Sequence, residues 1–243
     1  MINLKMRQIE EFFNALSFLT IIPIKTKNKE IFSSVKFFPL VGFLIGIFLY
    51  FISYLPILDN LKAFLILFFW EFITGFFHLD GLADTSDAIF SSKMDKEVLF
   101  KIMKDSNIGV MGACMLFFVL SGKYLTILEA LKISKSPIIL APIIGRFSIN
   151  YLSWKLPYAK EEGLGKLICE KKSNNYFFVP LILTFLIIAI ISWKYILSFF
   201  VIIIFLNFYG KYFKKKFGGV TGDIFGFSVE TIELIFLFMS VII

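Results

Sequence analysis

Residues 37–55 read FFPLVGFLIGIFLYFISYL and contain no charged side chain. An α-helix needs roughly 20 apolar residues to cross the hydrocarbon core of a bilayer, so this run predicts a transmembrane helix. Six similar runs follow it along the chain. The predicted spans are Phe37–Leu55, Ala63–Phe77, Ile108–Leu128, Pro137–Leu152, Tyr176–Trp193, Tyr195–Gly210 and Phe227–Ile243. The sequence therefore predicts an all-α, polytopic integral membrane bundle of about seven spans.

The composition of the whole chain agrees with this class of protein. Of the 243 residues, 58% are hydrophobic and 33 are phenylalanine, whereas a soluble domain averages about half apolar residues. No low-complexity linker and no internal repeat marks a second domain. Residues 1–243 are therefore predicted to form a single domain.

Lysine and arginine are distributed unevenly between the loops. Nineteen of the 25 fall before the first predicted span or in the loops after the second, fourth and sixth, and four fall in the alternate loops. Basic residues favour cytoplasmic loops, so the N-terminus is predicted to be cytoplasmic and the C-terminus to lie outside. The net charge of +7 then reflects membrane orientation and gives no reason to expect a nucleic-acid partner.

Three of the cytoplasmic segments that follow from this topology have a distinct character: residues 1–36, 80–107 and 211–226. The first is predicted to contain an amphipathic helix on the membrane surface, because apolar residues recur at helical spacing before Pro23. These residues are Ile9, Phe12, Phe13, Leu16 and Leu19. The second segment is acidic, and the third is rich in glycine.

The most unusual polar sequence is HLDGLADTSD at residues 78–87, which has apolar flanks. Asp80, Asp84 and Asp87 are spaced i, i+4 and i+7, so they share one face if the segment is helical. Three like charges beside hydrocarbon are costly unless a cation neutralises them, and oxygen ligands suit Mg²⁺. The alternative is a solvated acidic helix start that the helix dipole stabilises. His78, the only histidine, can contact phosphate, act as a base or simply pack.

Two loops place further charged residues on the predicted cytoplasmic side. Lys104 and Asp105 lie where the chain re-enters the membrane, and Asp105 is either another metal ligand or the N-cap of the third span. Before them, residues 92–95 (SKMD) have the pattern of a capping box that opens a short helix. In the next loop, Lys160 and Lys166 can hold an anionic substrate or simply be solvated.

The last cytoplasmic loop combines three lysines, residues 214–216, with the sequence GGVTGD at residues 218–223. Glycines let backbone amides approach a phosphate closely. Asp223 lies at the membrane edge, and Glu230 and Glu233 continue its helix face into the last span.

Ionisable residues within spans are functional by default. This rule applies to Glu230 and Glu233, and also to Glu71 and Arg146. Arg146 can either neutralise a phosphate or pair with a carboxylate.

Taken in order, these motifs resemble the cobalamin synthase (adenosylcobinamide-GDP ribazoletransferase) family. The resemblance runs almost end to end, and its most specific block is HLDGLADT at residues 78–85. Shorter matches are FLT at 18–20 with Pro23, FPLVG at 38–42, TG at 74–75, MKDS at 103–106, IG at 108–109, PYA at 157–159, GLG at 163–165, and Gly219 with TGD at 221–223. The chain departs from the family pattern at four positions. Phe76 stands where a second glycine is common, Ala88 replaces a glycine, and Asn107 and Lys160 replace arginines.

The resemblance implies a Mg²⁺-dependent enzyme of the cell inner membrane with a cytoplasmic active site. It implies the final joining step of adenosylcobalamin biosynthesis, in which adenosylcobinamide-GDP reacts with α-ribazole or its 5′-phosphate and GMP is released. The implied metal ligands are Asp80, Asp84, Asp87 and Asp223. The implied catalytic residues are Asp84, Asp80, His78 and Asp105, and the implied phosphate-binding residues are Lys104, Arg146, Lys160, Gly219, Thr221 and Gly222. A homo-oligomer is compatible with this assignment.

Two other functions fit parts of the pattern. CDP-alcohol phosphatidyltransferases also place aspartates at helical spacing on a cytoplasmic membrane face, but their motif carries an Ala-Arg step where Ala83 is followed by Asp84. An ion-coupled transporter would use carboxylates and a cation near the middle of the membrane, here Glu71, Arg146, Glu230 and Glu233.

Overall fold

The structure is a computed structural model that describes residues 2–26, 31–93, 95–163, 165–169 and 174–243. Four of the nineteen basic residues counted above lie outside these ranges: Lys27, Lys29, Lys171 and Lys172. So do Met94 of the SKMD pattern and Leu164 of the GLG match. The described ranges form twelve α-helices and no β-strand, which confirms the all-α prediction.

The helices follow one another with short connections. They are α1 (Ile2–Leu19), α2 (Ile31–Ser34), α3 (Phe38–Ile52), α4 (Asp59–Ile73), α5 (Phe77–Phe90), α6 (Lys96–Ile102), α7 (Val110–Ile133), α8 (Ser136–Lys155), α9 (Lys166–Cys169), α10 (Asn175–Ser192), α11 (Ile196–Phe217) and α12 (Gly222–Ile242). The amphipathic pattern before Pro23 lies on α1, which buries Ala15 and Leu19 and exposes Met6 and Ile9.

Several helices of the described chain have the length and composition of membrane spans. Four segments qualify, and a fifth qualifies if α4 and α5, which meet at 86°, form one bent span. The four are Ile31–Ile52, Val110–Ile133, Asn175–Phe217 and Gly222–Ile242. Each of the seven predicted spans overlaps one of the helices α3, α4, α7, α8, α10, α11 and α12. That all seven cross the membrane stays a prediction.

Several boundaries differ from the sequence prediction, and three of them lie in or next to the predicted cytoplasmic segments. The second span was expected to reach Phe77, but α4 ends at Ile73 because the chain turns at residues 74–76. The glycine-rich loop is limited to residues 218–221, because α11 continues to Phe217 and α12 begins at Gly222. The cap of α6 is Asp95, whose carboxylate accepts the Glu97 amide at 2.9 Å, and not the predicted residue 92.

Helix α8 forms the centre of the bundle, and nearly all of its side chains from Pro137 to Ser153 are buried. Helix α3 packs on it backbone to backbone: a Cβ atom at Gly42 would lie 2.5 Å from the Pro142 carbonyl oxygen, and Gly46 faces Ile139 in the same way. Small residues four apart permit this close helix packing in membranes, where it supplies dispersion contacts.

The chain reverses between α10 and α11. Ser192 has extended backbone angles (φ −165°, ψ 100°) that end α10. The rings of Phe185 and Phe200 lie 6.4 Å apart, although fifteen residues of unbroken helix would separate them by about 22 Å. The two helices are therefore antiparallel neighbours.

The connections gather at two ends of the bundle. At one end, the Ile21 amide bonds to the Ile73 carbonyl at 2.9 Å and the Ala159 amide bonds to the Val220 carbonyl at 2.8 Å. We call this the acidic end; it is formed by α5, α6 and the loops at 156–163 and 218–221. At the other end, the Lys135 ammonium donates to the Ser53 carbonyl at 3.0 Å.

Candidate active site

The chain enters the acidic end through a tight turn between α4 and α5. Gly75 and Phe76 have φ values of +66° and +60°, in the left-handed region. Their amides bond to the carbonyls of Phe72 and Glu71 at 2.9 and 3.0 Å. The left-handed region disfavours side chains, so Phe76 occupies a strained position that glycine would tolerate more easily. The turn sets α5 at 86° to α4.

Helix α5 presents its aspartates along one face, as their spacing predicts. Asp80 is exposed, whereas Asp84 and Asp87 are half-buried. The other face packs into the bundle through residues such as Leu82 and Thr85, which are fully buried. The helix is therefore anchored by one face while the other carries negative charge.

Two glycines bring the start of α12 against this helix. A Cβ atom at Gly81 would lie 2.6 Å from the Asp223 carbonyl oxygen, and one at Gly226 would lie 2.9 Å from the His78 carbonyl oxygen. Any side chain at either position would separate the two helices. The backbone contact thus brings Asp223 beside Asp80 and Asp84, from which it is remote in sequence.

Asp87 caps the N-terminus of α7. Its two carboxylate oxygens accept the amides of Gly109 and Gly112, both at 2.8 Å. A carboxylate at this position satisfies amides that lack helical partners and interacts favourably with the helix dipole. The sequence allowed Asp105 to cap the third span, but the residue that caps it is Asp87. The role of Asp87 as a metal ligand stays a prediction.

The loop at 156–163 completes one side of the site. A short parallel bridge between Tyr158 and Val220 fixes it against the glycine-rich loop. This contact lets the Lys160 ammonium donate to the Asp223 carboxylate at 2.9 Å. Burial, followed by the negative charge of Asp223, raises the pKa of Tyr158 above its usual value.

Lys104 and Asp105 approach from the segment after α6. The Asp105 carboxylate accepts hydrogen bonds from the amide and the side chain of Asn107 at 3.0 and 2.9 Å, and these bonds lower its pKa. Both residues are exposed and both line a cavity.

Two cavities meet at Asp80 and Lys104, which line both of them. The first has a volume of about 530 Å³ and is lined on its polar side by Asp84, Asp105 and Ser106. The second has a volume of about 610 Å³ and lies under the loop at 156–163. Its lining includes Ser17, Phe18, Phe77, His78, Tyr158, Lys160, Gly222, Asp223 and Phe225. Asp80 therefore stands at the junction of the two cavities, with Asp84 in the first and Asp223 in the second.

Of the remaining predicted residues, some line the second cavity and others hold the backbone around it. His78 lines the second cavity, and its Nδ1 atom is buried without a hydrogen-bond partner in the described chain. Gly222 also lines it, with open space where a side chain would be. Thr221 instead caps α12 by accepting the Ile224 amide at 3.2 Å. Gly219 packs directly on the Pro157 carbonyl.

Arg146 lies apart from both cavities. It is fully buried in α8, where its guanidinium pairs with the Glu233 carboxylate and donates to the Pro142 carbonyl at 3.4 Å. Of the two roles that the sequence left open, the structure shows the pairing with a carboxylate. Contact with a substrate phosphate stays a prediction without support from this geometry.

The sequence did not single out Lys123, the centre of the cluster that includes Arg146 and Glu233. Its ammonium donates to Glu71, Glu230 and Glu233. The available signal was a lone lysine inside an apolar run, to which the rule on ionisable residues within spans applies.

The aspartates at the acidic end are more widely spaced than these buried glutamates. Among the described residues, the three carboxylates with oxygens within 4.8 Å of one another are Glu71, Glu230 and Glu233. Mg²⁺ commonly takes only one or two protein carboxylates and fills its remaining positions with phosphate oxygens and water. An all-oxygen set around Asp80, Asp84 and Asp223 fits that mode of binding.

Comparison with known proteins covers nearly the whole chain. The family model described as cobalamin-5-phosphate synthase matches residues 11–241. A Clostridioides difficile protein is 35% identical over 94% of this chain and 96% of its own length. Relatives from Thermodesulfovibrio yellowstonii and Acinetobacter baumannii are 34% and 32% identical, and each alignment covers at least 94% of both chains. All three are named adenosylcobinamide-GDP ribazoletransferase. No solved structure matches the chain.

Proposed function

Since the chain belongs to the cobalamin-5-phosphate synthase family, we propose that it catalyses the last joining step of adenosylcobalamin biosynthesis. The substrates are adenosylcobinamide-GDP and α-ribazole or its 5′-phosphate. A ribose hydroxyl attacks the cobinamide-side phosphorus of the diphosphate, the bond from that phosphorus to the bridging oxygen breaks, and GMP leaves with that oxygen. The hydroxyl proton passes to a base, and the product is adenosylcobalamin or its 5′-phosphate.

The junction of two cavities at Asp80 and Lys104 is the observation that supports this reaction best. A transfer between two large substrates needs both to reach one phosphorus atom from different directions. Phosphoryl transfer depends mainly on such positioning and on stabilisation of charge. Lys104 and Lys160 supply fixed positive charge for the diphosphate.

We propose Mg²⁺ as the cofactor because the site carries more negative than positive charge. Asp80 and Asp84 on α5 and Asp223 on α12 would hold it, with Asp87 fixed behind them at the start of α7. When bound, Mg²⁺ neutralises diphosphate charge and stabilises the leaving oxygen. Lys160 keeps the Asp223 carboxylate oriented through its 2.9 Å ion pair.

His78 and the aspartates are the candidates for the base. The imidazole of His78 lines the second cavity. A neutral imidazole within reach of the ribose hydroxyl can accept its proton. Asp105 lines the first cavity and would act on the diphosphate side.

The proposed location is the inner membrane, with seven spans and the acidic end in the cytoplasm. The positions of the lysines support this orientation, because Lys104 and Lys160 lie at the acidic end. The reversal between α10 and α11 supports counting the segment Asn175–Phe217 as two spans.

The transporter alternative loses its main support. The residues that it would use, Glu71, Arg146, Glu230 and Glu233, are bonded to one another or to Lys123 in the described structure. The family match likewise does not favour a CDP-alcohol phosphatidyltransferase.

The direct test uses purified protein in detergent with adenosylcobinamide-GDP, α-ribazole and Mg²⁺. We expect GMP and adenosylcobalamin to appear in equal amounts. A folded sample that releases no GMP would contradict the proposed function. Hydrolysis to GMP without cobalamin would contradict the transfer.

A further inference from the structure

Five charged side chains meet inside the bundle, outside both cavities. They are Glu71 of α4, Lys123 of α7, Arg146 of α8, and Glu230 and Glu233 of α12, and each is at most 2% exposed. Isolated charges at such positions are strongly unfavourable, so their arrangement needs an explanation.

The Lys123 ammonium uses all three of its hydrogens in this cluster. Its Nζ atom lies 2.9 Å from Glu71, 2.5 Å from Glu230 and 2.6 Å from Glu233. An ammonium group has three donors and no acceptor, so it is fully satisfied. The carboxylate oxygens lie within 4.8 Å of one another, as they would around a metal ion. Lys123 thus supplies from its own side chain the cation that such a group requires.

Glu71 connects the cluster to α5, the helix that carries Asp80 and Asp84. The Glu71 carbonyl accepts the Phe76 amide at 3.0 Å and the Thr74 hydroxyl at 2.9 Å, which are the bonds that close the turn into α5. A displacement of Glu71 would therefore move the start of α5.

Through α12 and α7, the cluster reaches the other parts of the site. Glu230 follows Asp223 by seven residues, about two helical turns, on the same face. Lys123 follows Gly112 by eleven residues, about three turns, and the Gly112 amide is bound by Asp87. Each helix that carries a proposed metal ligand is thus tied to Lys123 directly or through one hydrogen bond.

We propose that Lys123 is a positioning residue whose buried ammonium joins α4, α7 and α12 and thereby sets the separation between Asp80 and Asp84 on α5 and Asp223 on α12. It contacts no substrate. The part of this inference that concerns turnover rests on the proposed function, whereas the part that concerns stability does not.

The charge of the cluster predicts an asymmetry in stability. With all five groups ionised the sum is −1, so Lys123→Met leaves −2 in the interior, whereas Glu230→Gln leaves zero. We expect Lys123→Met to lower the unfolding temperature in detergent by about 10 °C, and Glu230→Gln by much less. Equal shifts in the two variants would overturn the role of the ammonium as the required cation.

Chemical rescue tests whether the ammonium itself is needed. Lys123→Ala removes three carbons and the nitrogen, which together correspond to propylammonium. We expect turnover to fall about 100-fold, as misplaced groups commonly cause, and added propylammonium to recover about tenfold of the loss. Propan-1-ol should have no effect. The matched control is Lys155→Ala, which removes a half-buried lysine with neutral partners, Tyr151 and Asn207; it should keep near-normal turnover.

A neutral variant covers the case in which Lys123→Ala does not fold. Lys123→Met combined with Glu71→Gln and Glu230→Gln leaves only the Glu233–Arg146 pair, so no buried charge lacks a partner. We expect this variant to fold with a near-normal unfolding temperature, but with kcat lowered about tenfold or more and KM little changed.

The outcomes separate the two proposals. If the folded neutral variant keeps the wild-type kcat, positioning by the Lys123 ammonium is overturned. Methionine at position 123 fills the same space without the charge, so the side chain would then act only by filling space. If the neutral variant also fails to fold, the cluster is required for folding itself and the positioning proposal is rejected. Absence of turnover in the wild-type protein would count against the proposed function, and the stability asymmetry would still test Lys123.

Discussion

Two groups of charged residues share helix α12, and their charge is balanced in different ways. The buried cluster holds three glutamates against the cations Lys123 and Arg146, so its charges pair within the protein. The acidic end holds Asp80, Asp84 and Asp223 beside two cavities, and Lys160 pairs with only one of them. Glu230 and Asp223 are two turns apart on α12. The difference shows that residue type does not decide the role of a carboxylate; the role depends on whether the fold supplies its counter-charge.

Removal of divalent metal should separate the two groups most strongly. We expect exhaustive chelation to abolish turnover and added Mg²⁺ to restore it, because the carboxylates at the acidic end lack sufficient protein cations. The unfolding temperature of the substrate-free protein should change little, since the buried glutamates already pair with Lys123 and Arg146. Turnover that persists after chelation would contradict the magnesium proposal.

Asp84→Asn should give the next largest effect. Loss of one proposed ligand is expected to lower kcat by about 10²–10³-fold, as removal of a single charge-stabilising group commonly does. Stability should be unchanged or slightly higher, because repulsion from Asp80, Asp87 and Asp223 is relieved. Turnover and thermal unfolding are both to be measured.

The matched control is Asp59→Asn, which removes an exposed carboxylate at the other end of the bundle, paired with Lys62 at 2.8 Å. Such surface pairs contribute little, so turnover should stay within about twofold of wild type. Similar losses in both variants would show that the position at the acidic end is not what matters.

Asp87→Ala should have a smaller effect than Asp84→Asn, and the property that it lowers should be the stability of the protein. The amides of Gly109 and Gly112 lose their acceptor, which is expected to cost about 1–2 kcal/mol. Asp87→Asn keeps one acceptor oxygen and should lose less. Wild-type thermal stability of Asp87→Ala in detergent would contradict the capping role.

Phe76→Gly should have the smallest effect. Glycine relieves the left-handed strain at this position, worth about 1 kcal/mol, and this offsets its loss of apolar contact. Phe77→Gly is the control, because Phe77 begins α5 and glycine brings no relief there. We expect Phe76→Gly to be the more stable of the two by thermal unfolding. The reverse order would show that the turn is not strained.

Much of the fold could be predicted from local pattern. Long apolar runs identified the positions of seven helices of the bundle, α3, α4, α7, α8, α10, α11 and α12. The spacing of Asp80, Asp84 and Asp87 correctly predicted a shared helix face. The same pattern predicted the ends of helices less accurately. Helix α4 stops at Ile73, and α12 begins five residues before its predicted start at Phe227. End positions depend on turns and caps, such as the left-handed pair at 75–76, which hydropathy does not register.

Residue type and short-range spacing were enough to predict a helical, apolar chain that concentrates carboxylates on particular helix faces. Which charges meet became visible only in the folded chain. Gly81 and Gly226 bring Asp223 to α5 across 143 residues of sequence, Asp87 is bound to the start of α7, and Glu71, Glu230 and Glu233 converge on Lys123. The physical reason is that helix spacing fixes the direction of a side chain, whereas its partner is selected by how closely whole helices can pack.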